Sequence, residues 1–227
     1  MIRYILNIHT ATETAIVNLS RESFTIHTLI NTITKEHATF LHPAINEILK
    51  KEGITMRDVV AVAATAGPGS YTGIRVGLAA ARGLCYALKI PLISFNSLEL
   101  IALSTINFVK NKDALYCPMI DARRREVYTA IYNFDMQEIE APSARILDEN
   151  YIDNHPTMPT IFSGSGSKKF QSLTEISALF YPDIEISSES MTQISWNKYQ
   201  NNMFNTLSFE KPLYIKEFYT TTVGTNK

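Results

Sequence analysis

Three short strings carry residue types that can do chemistry. The first, Gly67-Pro68-Gly69-Ser70-Tyr71-Thr72-Gly73-Ile74-Arg75-Val76-Gly77, follows an apolar run from Val59 to Ala66 and opens a proline-free run from Tyr71 to Lys89. Glycines at such a strand-to-helix turn let the backbone approach an anion, and a helix N-terminus offers it free N–H groups. Gly67, Gly69 and Ser70 are therefore candidate phosphate ligands, with helix packing as the plainer alternative. The string is not a P-loop, because no Lys-Ser or Lys-Thr pair follows its last glycine. The second string, Ser163-Gly164-Ser165-Gly166-Ser167, is another candidate anion nest through Gly164 and Gly166, although Ser/Gly turns are common. The third, Asp121-Ala122-Arg123-Arg124-Arg125-Glu126, places Arg123, Arg124 and Arg125 at one hairpin tip, where they can grip RNA phosphates or a carboxylate. A solvated hairpin with Asp121 or Glu126 pairing locally is the plainer reading there.

The other reactive residue types form no recognisable constellation. His37 and His42 are five apart, which does not align them on one helical face as a spacing of four would, and no carboxylate stands at the matching turn. His9 and His27 stand alone near strand ends, and His155 falls in a loop. No Ser-His-Asp or Cys-His order and no nucleophile elbow can be built, so neither a catalytic residue nor a metal ligand is assigned. Cys85 and Cys117 lie inside apolar runs without CxxC spacing and read as buried, reduced thiols of a cytosolic protein.

The elements that must position these strings follow from hydrophobic period. Ile2 to Ile8, Thr14 to Leu19 and Phe24 to Leu29 read as an antiparallel meander with short polar links. Lys35 to Glu52 has helical period, with Leu41, Ile45, Ile48 and Leu49 on one face and Gly53 as a C-cap. After the Val59 to Ala66 strand and the Tyr71 to Lys89 helix come a short strand at Pro91 to Ser94 and a helix at Ser97 to Val109. Strands at Leu115 to Ile120 and Glu126 to Phe134 flank the arginine turn. Asp135 to Pro159 reads as loops, interrupted by Pro142, Pro156 and Pro159, with one short strand at Ala144 to Leu147. Thr160 to Phe162 enters the Ser/Gly loop, a helical stretch follows near Lys169 to Leu179, and Met191 to Leu207 forms a last helix. Strands followed by helices, with a Gly-rich turn in each half, give an α/β chain of two units with a boundary near residues 100 to 110.

At 227 residues, 45% hydrophobic and 19% charged, the chain can bury a good core, and disorder is not expected. A formal charge of −1 gives no global attraction to nucleic acid, so any RNA contact must come from a local patch or a partner. No apolar run reaches about 18 residues and no secretory leader pattern opens the chain, so no membrane span is expected.

The Tyr71 to Lys89 run is apolar almost all round, interrupted only by Arg75, Arg82 and Lys89 as charges. Such a helix is covered on more than one side. Gly73 and Gly77, four apart, allow close approach of another helix. That helix lies either in the core of this chain or in a partner.

Several strings agree on one family. Ile5-Leu6-Asn7-Ile8-His9-Thr10-Ala11-Thr12-Glu13-Thr14, the Gly67 to Gly77 string with Leu78-Ala79-Ala80-Ala81-Arg82-Gly83-Leu84, Asp121-Ala122-Arg123-Arg124 with Glu126-Val127-Tyr128, and Pro212-Leu213-Tyr214-Ile215 resemble the TsaB (YeaZ) family. That family serves the bacterial machinery that makes threonylcarbamoyladenosine in tRNAs reading ANN codons. The resemblance implies an actin-like ATPase-domain (ASKHA) fold of two ribonuclease-H-like lobes. The first lobe would span 1–105, with a C-terminal helix of about 191–220 packed back on it. The second, smaller lobe would span 106–190. Thr10, the Gly67 turn and the Ser163 loop would line the cleft. The resemblance further implies a non-catalytic, cytoplasmic subunit that pairs with the transferase TsaD and works with the ATPase TsaE, the enzyme TsaC and, through the complex, tRNA. Alone it would form a homodimer. The partner interface would use Leu41, Ile45, Ile48, Gly73, Arg75, Gly77, Leu78, Ala81 and Arg82, so a bulky charged residue at Gly77 or Ala81 should break it. No cofactor is implied for the chain itself, and ATP or ADP only within the complex.

Departures from the family pattern sharpen this expectation. TsaD carries a metal-binding His-x-x-x-His pair where this chain has Ser97 and Ile101, neither an effective ligand. His9 stands where the family usually has Asp, and an imidazole cannot replace a carboxylate for magnesium. Arg125 stands where Gly is common, which puts a tight Gly-dependent turn there in doubt. The alternatives are an active glycoprotease of the peptidase M22 type, sharing the fold, and a stand-alone RNA-binding module using the arginine turn.

Overall fold

The computed structural model describes residues 2–33, 36–148, 151, 158–175, 178–206 and 215. Lys35, His155, Pro156 and the Pro212-Leu213-Tyr214 string lie outside them, as does the end of the expected last helix. The apolar strands assemble into two five-stranded sheets. The first contains β1 (Tyr4–His9), β2 (Ala15–Arg21), β3 (Phe24–Asn31), β4 (Val59–Gly67) and β5 (Leu92–Asn96), in the order β3-β2-β1-β4-β5. The second contains β6 (Leu115–Asp121), β7 (Glu126–Tyr132), β8 (Glu138–Ile146), β9 (Thr160–Ser163) and β10 (Leu179–Tyr181), in the order β10-β9-β6-β7-β8. In each, the first three strands form an antiparallel meander and the next two add in parallel beside the first. The two sheets thus repeat one topology, and each parallel addition follows a crossover.

Helices α1 (His37–Glu52) and α2 (Tyr71–Leu88) cover one face of the first sheet. Leu41, Ile45 and Ile48 of α1 and Ile74, Leu78, Ala81 and Cys85 of α2 meet Leu6, Ile8, Val17, Leu19 and Val62 in one apolar cluster. The opposite face packs against α3 (Ser97–Val109) and the last helix, α5 (Ser188–Gln200). There Leu100, Leu103, Met191 and Ile194 meet Ile5, Ile16, Ala61, Ile93 and Phe95. The other side of α3 presents Leu98, Ile101 and Ala102 to Ile120, Ala130 and Tyr132 of the second sheet. The short α4 (Ser167–Gln171) places Phe170 beside Phe162 and Phe180.

Several sequence expectations shift here. The helix covered on more than one side is α3, buried from Ser97 to Ile106 except for the half-buried Glu99, while α2 keeps an exposed face. β8 replaces most of the loop expected from Asp135. It is an edge strand, mostly exposed, so Glu138 to Ile146 shows no apolar alternation, and Pro142 falls where the register with β7 shifts. The helix expected at Lys169 to Leu179 stops at Gln171, and Leu179 begins β10. α5 starts at Ser188, where the Ser187 hydroxyl accepts the Ser190 amide, and ends at Gln200.

Candidate functional site

The corner after β1 is closed by direct backbone contact with the glycine turn. Thr10 is buried, and its hydroxyl donates to the Gly73 carbonyl at 2.7 Å. The Ser70 amide donates to the Ala11 carbonyl at 2.7 Å, and the Ser70 hydroxyl caps α2 by accepting the Gly73 amide at 3.2 Å. A side chain at Gly69 would run into the Ala11 carbonyl oxygen, one at Gly73 into the Thr10 carbonyl oxygen, and one at Gly77 into the Thr10 hydroxyl. These glycines serve the approach of the β1–β2 turn to α2, and the groups at Thr10 and Ser70 that a phosphate would recruit already have partners. Gly67, with φ of 113°, ends β4 and pairs with Asn96.

The Ser/Gly loop is spent in the same way. The Gly164 amide donates to the Tyr181 carbonyl at 3.0 Å and the Gly166 amide to the Met119 carbonyl at 2.9 Å. A Cβ at Gly164 would stand 2.6 Å from the Met119 oxygen, which with φ of 84° explains the glycine.

His9 is the residue that the family resemblance sets where an Asp is usual. Its ring is fully buried, with Nδ1 2.8 Å from the Thr65 hydroxyl and Nε2 2.8 Å from the Thr12 hydroxyl. Burial, and then the nearby His37, hold its pKa down from 6.5 to about 3, so the ring is neutral at physiological pH. A neutral imidazole with both nitrogens engaged does not fit a hard-cation corner. Ser97 and Ile101, at the histidine positions of the transferase pattern, are both buried in α3. Ile101 lies against Gly164, its Cδ1 3.4 Å from where a Cβ would stand there. A hydroxyl and an aliphatic side chain do not fit a zinc- or iron-type site either. Among the described residues no group of three or more His, Cys, Asp or Glu could hold a metal ion.

The expected partner residues divide sharply. Leu41, Ile45, Ile48, Gly73, Gly77, Leu78 and Ala81 all belong to the core under α1 and α2, so they cannot form an external interface. The reason is phase: a helix apolar on both sides does not say which side meets its own sheet. Arg75 is exposed, its guanidinium carbon 3.9 Å from the centre of the Tyr71 ring, and Arg82 is half-buried. The outward face instead presents Thr72, Arg75, Ala79, Gly83 and Tyr86, with Val76 partly buried beside them and Tyr86 80% exposed. Sequence reasoning missed Ala79, Gly83 and Tyr86 as surface residues. Their signal was position, since they fall opposite the Gly73, Gly77 and Ala81 stripe.

The arginine turn forms without glycine. Arg123 and Arg124 adopt φ of 69° and 51°, and the Glu126 amide closes the turn on the Arg123 carbonyl at 3.1 Å. Asp121 accepts the Arg123 amide and pairs with Lys169 of α4. The local pairing expected of Asp121 is therefore with a lysine from another element.

A family model described as "TsaD: tRNA N6-adenosine threonylcarbamoyltransferase" matches residues 30–204. The chain is 30% identical over 175 residues to the tRNA threonylcarbamoyladenosine biosynthesis protein TsaB of Bacillus subtilis, covering 75% of each chain. It is 29% identical over 222 residues to the protein of that name from Escherichia coli, covering 93% of this chain and 94% of that one. The fold is similar to that of YeaZ from Pseudomonas aeruginosa, with a TM-score of 0.83 at 20% identity over 93% of this chain and 99% of that chain. The repeated sheet topology is that of the two-lobed actin-like ATPase fold, as expected. By the match in sequence along most of its length and by its fold, the chain belongs to the TsaB (YeaZ) family.

Proposed function

We propose that the chain is a non-catalytic subunit of tRNA threonylcarbamoyladenosine synthesis that binds and activates the TsaD transferase. The observation that carries this reading is the chemistry at the transferase positions. A chain that matches a transferase model has a serine and an isoleucine where the metal pair would stand, and a neutral imidazole at the magnesium corner. A member of this family without that chemistry contributes by binding, which also disfavours the glycoprotease alternative.

The outer face of α2, together with the exposed Ala38, His42 and Asn46 of the neighbouring α1, is the surface assigned to TsaD. Small residues at Ala79 and Gly83 permit close helix approach, Tyr86 offers a large apolar anchor, and α2 carries no acidic residue. In the absence of TsaD the same face would pair two copies of this chain. TsaE would join the assembly through TsaD, and the complex as a whole would take tRNA. The chain requires no cofactor of its own, and ATP or ADP would bind only in the complex. Titration of the isolated chain with Mg-ATP should give no binding heat at millimolar nucleotide, whereas stoichiometric binding would restore a nucleotide role to the cleft. Reconstitution of the modification with TsaD, with and without this chain, tests the activating role.

A further inference from the structure

The tip of the β6–β7 hairpin carries a cost that the fold does not explain. Two consecutive arginines adopt positive φ, at 69° and 51°. Each side chain in that region costs roughly 1 kcal/mol relative to glycine, and Asn-Gly is the ordinary solution in a hairpin. The strain is held by the Asp121 carboxylate on the Arg123 amide at 2.6 Å and by the Ala122 amide on the Glu126 carbonyl at 3.1 Å. Arg123, Arg124 and Arg125 are all exposed, and among the described residues their side chains form no ion pair. Asp121, two residues before the arginines, is engaged by Lys169. Two more exposed cations stand alongside. Arg145 of β8 is in register with Val127, and Lys168 adjoins Lys169 in α4, which begins after the loop where Ser165 accepts the Asp121 amide.

We infer that this tip is an RNA-phosphate contact site, with Arg123, Arg124 and Arg125 as its primary ligands and Arg145 and Lys168 at its flanks. A chain of net charge −1 gathers five exposed cations from three elements on one end of its second sheet. Guanidinium groups pair with phosphate oxygens in bidentate fashion, and a polyanion rewards their number as a single carboxylate does not. The turn residues contact backbone and not base edges, so the site gives affinity and orientation with little sequence preference.

The inference rests on the reading that the chain serves tRNA modification, but its test is separate from TsaD activation. The probe is an unmodified tRNA transcript, titrated with the full-length chain by fluorescence anisotropy from 50 to 200 mM salt. Three phosphate contacts give a slope of about −2 to −3 in log K against log salt. The double variant Arg123→Asn/Arg124→Gly removes two cations while supplying residues suited to positive φ. It should melt at the same or a higher temperature, retain TsaD binding, and bind tRNA at least tenfold more weakly at 50 mM salt, with a slope shallower by about 1 to 2. No measurable tRNA binding by the wild type, an unchanged affinity and slope in the double variant, or equally tight binding of a polyglutamate peptide overturns the assignment.

Discussion

At the scale of single residues, His9 shows how one substitution changes a corner's chemistry. Its ring is held neutral, with a pKa of about 3 in the folded chain against 6.5 when unfolded. Above pH 6.5 neither state binds a proton there. Between 6.5 and about 3 the unfolded chain takes up a proton that the folded chain refuses, so stability falls as pH falls through that window. From pH 7 to pH 5 the loss from this group is about 2 kcal/mol. In urea unfolding, His9→Gln should lower stability at pH 7 yet show a smaller loss between pH 7 and pH 5; equal pH dependence in both proteins would mean that His9 is not the group titrating. Gly77 and Ala79 form a second contrast. Gly77→Asp drives a Cβ into the Thr10 hydroxyl and should cost about 3 kcal/mol or more by the same measurement, because that buried hydroxyl is tied to the Gly73 carbonyl and must give up its place. Ala79→Glu lies on the outer face and should leave the melting temperature within about 2 °C. The presence of glycines at 73 and 77 was legible in the sequence as a demand for close approach; the approaching group, Thr10, was not, because it comes from a turn about sixty residues earlier.

At the scale of elements, legibility followed burial. β1, β4 and α3 are apolar runs, and their sequences announced them. β8 is an exposed edge strand whose partner, β7, fixes its backbone while solvent leaves its side chains unconstrained, so periodicity had nothing to register. α2 was legible as a helix and ambiguous in phase. Its buried stripe of Ile74, Gly77, Leu78, Ala81 and Cys85 is set by the sheet beneath. The element-level prediction follows from that phase. Tyr86→Glu and Ala79→Glu, on the outer stripe, should each weaken TsaD binding at least 100-fold by isothermal titration with circular dichroism unchanged. Lys89→Glu, at the C-cap, should alter binding less than fivefold. Equal losses at all three positions would point to a diffuse electrostatic effect and away from a packed helix face.

At the scale of the whole molecule, two copies of one sheet topology are joined through α3, which is buried on both sides. The α/β class and two-unit organisation could be read from the order of strands and helices. The pairing of distant strands, such as β1 with β4 and β6 with β9, could not, since parallel neighbours leave no local mark in sequence. The fold brings Thr10, the Gly67 turn and the Ser163 loop to the ends of their strands, and it buries His9, Ser97 and Ile101, the residues that the family resemblance sets against the magnesium and metal-pair positions. The proposed binding role fits a molecule that keeps this architecture without that ionic chemistry. The most direct test is the rate of threonylcarbamoyladenosine formation on a tRNA transcript by TsaD of the same organism, supplied with TsaE, ATP and threonylcarbamoyl-AMP. The account predicts sustained modification with the wild-type chain, little or none without it, and none from the chain in the absence of TsaD. Equal rates with and without the chain, or product formed by the chain alone, would contradict it.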